Sequence, residues 1–224
     1  MRISILVAVW NNARYFRQAL ESALAQTRPA HEVIVVDDGS TDESAAIAES
    51  MPGVRVIRET HRGVAATRNT AMPYATGDYV AWLDSDDLWT PDKLAVQAGF
   101  MDAHPEVAMT FTHQRLIFEE GVERPYWVTD AMLAGASPIM GTCSMMARTS
   151  IQTTVGAFDA SKSPADDTDW IIRAQELGFQ RVMLPETLLI RRVHPHNLST
   201  TMPLDKSRML GLLRGALGRK RAAP

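Results

Sequence analysis

The first half of the chain alternates short apolar runs with amphipathic segments. Largely apolar runs occupy residues 3–9, 33–36, 54–57 and 79–83, and such runs are typical of strands covered on both faces. Between the first two runs, apolar side chains recur at helical spacing, as in Tyr15, Phe16, Ala19, Leu20, Ala23 and Leu24. The pattern therefore predicts four strands separated by three helices: one that carries these side chains, one at about residues 42–50 and one at about residues 63–73.

The order of these elements predicts a parallel sheet. Strands that alternate with helices over short connections are joined by right-handed crossovers. Asn11 and Asn12 precede the first helix and can cap it, and Pro29 marks its end. Gly63 opens the third helix, which carries Arg68.

Acidic residues follow two of the predicted strands. They are Asp37, Asp38, Asp84, Asp86 and Asp87. Ligands of parallel α/β sheets bind beyond the carboxyl ends of the strands, so these acids are expected to meet at one edge. A divalent cation such as Mg²⁺ or Mn²⁺ would offset their mutual repulsion. The alternative is an acidic turn in which Asp87 or Thr90 caps a helix that opens at Pro91.

The pattern changes after Asp87. It predicts a helix at 91–103 and a strand at 107–112 that pairs with 114–118 through a hairpin or meander. A short helix and loop are expected within 126–142, followed by a strand at 144–147, a helix at 166–178 and strands at 180–184 and 188–193. Acids in the first turn, apolar periodicity and a closing Gly178 favour the helix at 166–178.

The end of the chain is basic and amphipathic. Residues 204–217 place Met209, Leu210, Leu213 and Leu217 on one helical face, among six basic residues between Lys206 and Arg221. Such a segment can lie on anionic lipid. It can equally pack on the domain or on a partner, or form a frayed soluble terminus.

Composition narrows the class of protein. With 224 residues, 46% hydrophobic residues and a formal net charge of −3, the chain has the size of one large or two small domains. The net charge argues against a general nucleic-acid binder. The single cysteine excludes a disulfide framework. The apolar run at 3–9 lacks the length and cleavage site of a signal peptide, and no run reaches the ~18 apolar residues of a membrane span. We therefore expect a cytoplasmic protein, with peripheral contact at the inner membrane surface as an option.

Individual side chains suggest how a nucleotide could bind at the acidic edge. Through Mg²⁺ or Mn²⁺, carboxylates hold a diphosphate. Asp38 suits an imide N–H or ribose hydroxyls, and Arg68 suits phosphate. Trp10 follows the first strand and could stack on a base. The alternatives are a solvated helix-face role for Arg68 and ordinary packing for Trp10.

A second group of residues could activate an acceptor. Asp166 and Asp167 begin a predicted helix, where acids serve either as caps or as a general base. Two adjacent acids exceed what a cap requires, and their proximity can raise one pKa. His194 could bind the metal or phosphate, although an isolated surface histidine is the commoner role.

Six short segments, in order over about residues 3–200, resemble motifs of one enzyme family. They are SILVAVWN at 4–11, VVDDGSTD at 35–42, GVAATRNTA at 63–71, LDSDD at 83–87, DDTDW at 166–170 and RVH at 192–194. Together they resemble the motifs of the family 2 glycosyltransferases of the GT-A fold. Each motif alone is short, but six in order at suitable spacing are specific.

The resemblance implies roles for particular residues. The implied contacts to the nucleotide sugar are Ala8, Trp10, Asp38, Arg68, Asp84, Ser85 and Asp86. The implied ligands of Mn²⁺ or Mg²⁺ are Asp86, Asp87 and His194, with Asp86 as the first choice. Asp167 is the implied base, and Asp166 beside it stands where the family usually has Glu. The late histidine of the family lies near the metal and the phosphates, hence His194.

The resemblance also implies a fold and a domain plan. The fold is α/β, of the GT-A class, with a Rossmann-like and mostly parallel central sheet flanked by helices and a smaller mixed half on the acceptor side. We expect one domain at 1–203, with a nucleotide-sugar half at 1–103 and an acceptor half at 104–203, followed by the tail at 204–224.

The implied activity is transfer of a sugar, with inversion, from a nucleotide-diphosphate sugar to an acceptor hydroxyl. The nucleotide is expected to be UDP, the sugar a hexose or N-acetylhexosamine, and the acceptor a carbohydrate, a lipid-linked molecule or a peptide, as in glycan or polysaccharide synthesis. The acceptor half has no signature that chooses among these, and the oligomeric state is open. Rival interpretations are a sugar nucleotidyltransferase, a non-catalytic nucleotide-sugar binder and a membrane-surface adaptor. The segment at 11–14 lacks the glycine-rich triphosphate loop that a nucleotidyltransferase needs.

Overall fold

A computed structural model describes residues 1–202 of the protein. The predicted tail at 204–224 lies outside the described residues. The strands are β1 (Ile3–Val9), β2 (Glu32–Asp37), β3 (Val54–Arg58), β4 (Tyr79–Asp84), β5 (Leu88–Trp89), β6 (Val107–Phe118), β7 (Ser137–Pro138), β8 (Met146–Arg148) and β9 (Gln180–Val193).

Helices connect these strands. They are α1 (Ala13–Leu24), α2 (Ser44–Glu49), α3 (Val64–Ala71), α4 (Lys93–Ala103), α5 (Asp130–Leu133), α6 (Ile151–Val155), α7 (Asp166–Glu176) and α8 (Leu198–Thr201), with 3₁₀ turns at Met72–Tyr74, Thr142–Ser144 and Ala160–Lys162. None of the helices in residues 1–202 combines the length and apolar character that crossing a bilayer requires.

The strands form one curved, mixed sheet. Its order is β3-β2-β1-β4-β8-β6-β9-β5, with β7 paired to β6. β1 lies parallel to both β2 and β4, and β2 lies parallel to β3. β8 runs antiparallel to β4 and β6, so the carboxyl ends of β4 and β6 point the same way. The parallel arrangement predicted for the first half of the chain is confirmed.

Apolar side chains cover both faces of the sheet. Along β1, Ile5 and Val7 belong to a core with α1 and α4, whereas Leu6 belongs to a second core with α3 and α7. Alternation along a strand sends successive side chains to opposite faces. A run that is apolar at every position is therefore buried on both sides, as the sequence pattern predicts.

Two predicted breaks in strands are absent. The hairpin expected between 107–112 and 114–118 is wrong, because β6 continues through His113 to Phe118 and pairs with β7, β8 and β9 instead. The expected gap between 180–184 and 188–193 is also wrong. β9 runs through Pro185, because a register shift opposite Phe111 and His113 leaves this residue out of the ladder, and proline is tolerated at such irregularities.

Helix starts and ends differ in detail from the predictions. Asn12 occupies the N-cap position of α1, but its side chain makes no capping bond; the Ala13 N–H donates to Asp42 Oδ2 at 2.9 Å instead. α1 ends at Leu24, before Pro29, and Leu24 is exposed. α4 begins at Lys93 rather than Pro91. The strand expected at 144–147 is Met146–Arg148, preceded by the 3₁₀ turn.

Candidate active site

The carboxyl ends of β1, β2 and β4 lie side by side at one end of the sheet, and we call this end of the sheet the acidic edge. β1 is the central strand of the three, and in its register Ala8 lies opposite Asp84 of β4 while Val9 lies opposite Asp37 of β2. The parallel pairing therefore brings acids from distant parts of the sequence to the same edge. Ser85 follows β4, and its hydroxyl accepts a hydrogen bond from Asn12 Nδ2 at 2.7 Å, which ties the end of β4 to the loop after β1.

Asp38 organises the loop that leads into α3. Its buried carboxylate accepts hydrogen bonds from the backbone N–H groups of Arg62 and Gly63, at 2.7 and 2.8 Å. His61 Nδ1 lies 2.9 Å from Asp38 Oδ2. The His61 ring stacks on Trp10, with 4.2 Å between centroids, and Trp10 is 51% exposed. Asp38 thus supports an exposed aromatic surface beside the acidic edge.

Arg68 links the acidic edge to α7. Its Nη1 donates to Asp166 Oδ2 at 2.7 Å, and its Nη2 lies 3.6 Å from Asp84 Oδ1. Burial lowers the pKa of the Arg68 guanidinium, but the carboxylates of Asp166 and Asp84 outweigh burial and raise it above its usual value. Arg68 therefore remains charged between two acids from different elements.

Asp166 and Asp167 occupy the first turn of α7 but have different surroundings. Asp166 is fully buried, and burial raises its pKa against the opposing effect of Arg68. Its Oδ1 has no hydrogen-bond partner among residues 1–202. Asp167 accepts from Thr168 N–H at 2.6 Å with Oδ1 and from Thr142 N–H at 3.3 Å with Oδ2. The Thr142 contact holds Asp167 beside the 3₁₀ turn at Thr142–Ser144.

Asp86 and His194 form a close pair at the end of β9. His194 Nε2 lies 2.9 Å from Asp86 Oδ2, and His194 is buried. Asn197 joins the pair: its Nδ2 donates to Asp86 Oδ2 at 3.1 Å, and its Oδ1 accepts from the His194 N–H at 2.7 Å. A carboxylate oxygen and an imidazole nitrogen side by side are ligands that Mn²⁺ accepts.

Asp87 points toward different neighbours. Its Oδ1 accepts from the Arg192 N–H at 2.9 Å. Ligand atoms of Asp84, Asp87 and Cys143 all lie within 4.8 Å of one another. Burial and then the neighbouring carboxylates raise the pKa of Asp87 well above its usual value; burial, together with Asp86 and Asp167, raises that of Asp84 to about 6 against the effect of Arg68. A bound cation would offset this repulsion, so the acids fit a divalent metal.

The structure brings several of the candidate site residues from the sequence analysis into contact with one another. Asp84 and Asp166 meet at Arg68, Asp86 meets His194, and Asp167 lies beside the turn that carries Cys143. Trp10 and Asp38 lie on the other side of the edge, with His61.

Some contributors were not predicted from the sequence. Asn197 and His61 emerge only from their contacts with Asp86 and Asp38, and Cys143 only from its position beside Asp84 and Asp87. A polar residue that precedes a short helix, as Asn197 does, is normally assigned a capping role, so its second role had no signal in the sequence. A single cysteine gives no spacing to interpret.

Comparison with known proteins gives a consistent match. The family model described as Glycosyl transferase family 2 matches residues 4–151. The uncharacterized protein Rv1520 of Mycobacterium tuberculosis is 32% identical over 216 residues, covering 88% of this chain and 60% of that protein. An uncharacterized glycosyltransferase of Nostoc sp., alr2836, is 40% identical over 99 residues, covering 42% of this chain and 31% of that protein. The chain thus spans only 60% of the length of the mycobacterial relative.

Solved structures share the fold. Staphylococcus aureus TarS 1–349 in complex with UDP-GlcNAc superposes with a TM-score of 0.75 at 23% identity, covering 96% of this chain and 65% of that chain. The mannosyltransferase PcManGT of Pyrobaculum calidifontis, in complex with GDP-Man and Mn²⁺, superposes with a TM-score of 0.73 at 24% identity, covering 100% of this chain and 65% of that chain. These similarities confirm the α/β GT-A fold.

Proposed function

The chain belongs to glycosyl transferase family 2, and on that basis we propose that it transfers a sugar from a nucleotide-diphosphate sugar to an acceptor hydroxyl. The observation that supports this most strongly is the arrangement at the acidic edge. A carboxylate–histidine pair, a buried arginine and a helix-borne acid converge there from β4, β9, α3 and α7. We propose UDP as the nucleotide, with a glycan, glycolipid or glycoconjugate as the acceptor.

We assign donor binding to the two sides of the acidic edge. The exposed surface of Trp10 and His61 can stack on the base of the nucleotide. Asp38, which contacts His61, is the candidate contact for the base or the ribose. Ala8 and Ser85 line the same acidic edge. Arg68 lies next to Asp84, where its charge would favour the diphosphate. TarS with UDP-GlcNAc and PcManGT with GDP-Man support a nucleotide-sugar donor in this fold.

A divalent cation, Mn²⁺ or Mg²⁺, is part of the proposal. Asp86 and His194 would hold it, together with Asp87, which follows Asp86 in the chain. Mn²⁺ accompanies the donor in PcManGT. When bound, such a cation stabilises the charge that develops on the departing diphosphate, by several kcal/mol. Asn197 keeps Asp86 and His194 together.

Asp167 is the proposed base. Its carboxylate is anchored by backbone N–H groups of Thr142 and Thr168, whereas that of Asp166 is committed to Arg68. Asp167 would remove the proton from the acceptor hydroxyl as that oxygen attacks the anomeric carbon in line with the leaving diphosphate, which inverts the configuration. A positioned base of this kind contributes about 10²- to 10⁴-fold to the rate.

The test begins by finding the donor. A panel of nucleotide sugars with Mn²⁺ is screened by thermal shift, because a ligand that binds only the folded state raises its stability. Donor affinity and transfer are then measured for the wild type, Asp167→Asn and Asp86→Ala. Glu49→Gln serves as the control, because among residues 1–202 the Glu49 side chain on α2 forms only an exposed ion pair with Arg58 of β3.

The two variants should fail in different ways. Asp167→Asn is expected to bind the donor with metal and to lose about 10²- to 10⁴-fold in turnover. Asp86→Ala is expected to bind the donor more weakly only when Mn²⁺ or Mg²⁺ is present. Near-normal turnover of Asp167→Asn would refute the base assignment, and an equal loss of affinity in EDTA would refute the metal. Donor binding without transfer or hydrolysis in the wild type would instead indicate a non-catalytic binder.

A further inference from the structure

Cys143 lies inside the candidate active site although no part of the proposed transfer uses it. It belongs to the 3₁₀ turn at Thr142–Ser144, between the end of β7 and β8, and only 6% of it is exposed. The thiol has no hydrogen-bond partner among residues 1–202, and its nearest functional neighbours are the carboxylates of Asp84 and Asp87. Cys143 packs in the apolar core with Trp89 and Leu189, and its sulfur also lies near the two carboxylates.

We propose that Cys143, Asp84 and Asp87 form a binding site for a thiophilic divalent cation such as Zn²⁺ or Cd²⁺, distinct from the Asp86–His194 pair. One ligand atom from each residue lies within 4.8 Å of the other two. Around zinc, sulfur and oxygen ligands at about 2.3 and 2.0 Å lie roughly 3–4 Å from one another. Small side-chain rotations would therefore bring all three ligands into contact with one ion.

The ligand types determine which cations the site prefers. A thiolate favours zinc and softer metals, whereas Mg²⁺ prefers sites made only of oxygen. Binding breaks the S–H bond: the proton passes to solvent and the sulfur electron pair bonds to the cation. The cation would also place a positive charge between the carboxylates of Asp84 and Asp87. A water or a phosphate oxygen would complete the coordination.

The position of the site predicts inhibition, a consequence that rests on the proposed function. A Cβ atom on Gly141 would lie 3.2 Å from Asp167 Oδ2 and 3.7 Å from Cys143 Sγ, so the thiol and the proposed base flank the same glycine. Asp87 is also a candidate ligand of the donor metal. A thiophilic cation held by Cys143 would therefore compete with Mg²⁺ or Mn²⁺ for Asp87 and crowd the acceptor side of Asp167.

Cadmium titration tests the site without donor or acceptor. The full chain is stripped with EDTA and titrated with Cd²⁺, following the ultraviolet charge-transfer absorption of a sulfur–cadmium bond. Because Cys143 is the only cysteine in the sequence, any such band reports on this residue. We expect one equivalent of Cd²⁺ to saturate the band in the wild type. Absence of the band would overturn the proposal.

Variants of the two acids distinguish a site with three ligands from cadmium binding by the Cys143 thiol alone. Asp84→Asn and Asp87→Asn keep the thiol and should weaken Cd²⁺ binding at least about tenfold, as loss of one ligand would. An asparagine at position 87 can still accept the Arg192 N–H through its Oδ1, and circular dichroism confirms that each variant is folded. Unchanged Cd²⁺ affinity in both variants would show a solitary thiol and refute the site.

His194→Ala is the matched control, because it removes a ligand from the neighbouring pair only. This variant should retain the wild-type cadmium band. Loss of the band in His194→Ala would refute two distinct sites. For inhibition, Zn²⁺ added to a transfer assay with Mn²⁺ should lower the wild-type rate, and Cys143→Ser should reduce that sensitivity at least about tenfold. The cadmium measurement stands even if no transfer is found, so failure of the proposed function is distinguishable from failure of the site.

Discussion

At the scale of single residues, the candidate site depends on side chains that hold other side chains. Asn197 is the clearest example. Its Nδ2 donates hydrogen bonds to Asp86 Oδ2 and to the Arg192 carbonyl, both at 3.1 Å, and its Oδ1 accepts a hydrogen bond from the His194 N–H. Partners of metal-binding residues orient those residues, and their mutation costs 10- to 100-fold in metal affinity. Asn197 is therefore a positioning residue of the proposed metal site.

The variant Asn197→Asp tests this role. Aspartate keeps the oxygen that accepts from His194 but replaces the amide donor by a carboxylate, which repels Asp86. We expect metal-dependent donor affinity, measured by calorimetry in Mn²⁺, to fall about tenfold or more. Affinity in EDTA should be unchanged.

Asn69→Asp provides the matched control for that variant. Asn69 makes a similar two-bond clamp, donating to the Phe158 carbonyl at 2.9 Å and accepting from its N–H at 2.8 Å. It should lose stability without a change in the Mn²⁺ dependence of donor binding. A similar loss of affinity in Mn²⁺ and in EDTA for Asn197→Asp would show that Asn197 acts only on the fold.

Lys93 offers a residue-scale prediction about stability. It is fully buried, with Nζ bonded to Gln97 Oε1 at 2.6 Å and lying 4.2 Å from the centre of the Trp89 ring. Burial lowers the pKa of Lys93 to about 7, whereas an unfolded lysine has a pKa of about 10.4. Between these values the unfolded chain binds more protons, so the Lys93 contribution to stability rises with pH.

Lys93→Met removes this pH dependence. The difference in unfolding free energy, variant minus wild type, should fall by about 3 kcal/mol between pH 7 and pH 10. The loss of the Gln97 hydrogen bond shifts the difference by a nearly constant amount and leaves its slope unaffected. Urea unfolding at several pH values measures it, with Lys162→Met as the reference for losing a positive charge outside the core. A flat difference would mean that Lys93 stays charged in the folded protein.

At the scale of elements, the sequence predicted best where one physical rule decides. Continuous apolar runs located β1, β2 and β4, and the parallel order followed from their helical connections. The sequence predicted structure poorly where the pairing of distant segments determines the bounds of an element. The break expected between 180–184 and 188–193 does not occur, because a register shift against β6 accommodates Pro185 within β9. The cap of α1 comes from Asp42 in a later loop, a contact that no local pattern specifies.

The loop after β2 permits an element-scale prediction about Gly39. Its φ is +71°, and a Cβ there would lie 2.8 Å from the His61 backbone nitrogen. Gly39→Ala therefore combines backbone strain with a clash, and overpacking of this kind costs about 1–3 kcal/mol beyond the strain. Because the clash falls on His61, the variant should also weaken nucleotide binding.

Gly53→Ala is the matched control, with a φ of +80° and no atom within 4 Å of the added Cβ. It carries the strain, about 1 kcal/mol, without the clash. Urea unfolding measures the loss of stability in both variants, and calorimetry with the donor measures their nucleotide affinity. Equal destabilisation of the two variants, with unchanged donor affinity, would mean that the turn at Gly39 has room to move.

At the scale of the whole molecule, one sheet joins the two predicted halves. β4 from the first half pairs with β8 from the second, and β5 pairs with β9. This continuity delivers His194 and Arg192 to the acids after β4. The predicted parallel order explains why the acids after β2 and β4 lie at one end of the sheet. It does not specify which side chains each acid contacts, because adjacent acids look alike in a sequence. Only packing distinguishes Asp86, next to His194, from Asp87, next to Cys143.

The last prediction concerns the basic tail at 204–224, which we propose contacts anionic lipid at the inner membrane surface. Basic residues near such a surface contribute about 1 kcal/mol each, and salt screens them. The triple variant of Arg214→Glu, Arg219→Glu and Lys220→Glu should therefore reduce co-sedimentation with phosphatidylserine-containing vesicles.

The matched control for the tail keeps the change in net charge and moves it elsewhere. Arg55, Arg58 and Arg181, on strands β3 and β9, are replaced by Glu, which lowers the net charge equally without touching the tail. Vesicle binding that falls in both triple variants would indicate a general charge effect, and binding that falls in neither would leave the tail without a lipid role. Loss of binding confined to the tail variant, together with loss of wild-type binding at high salt, would support electrostatic contact between the tail and anionic lipid.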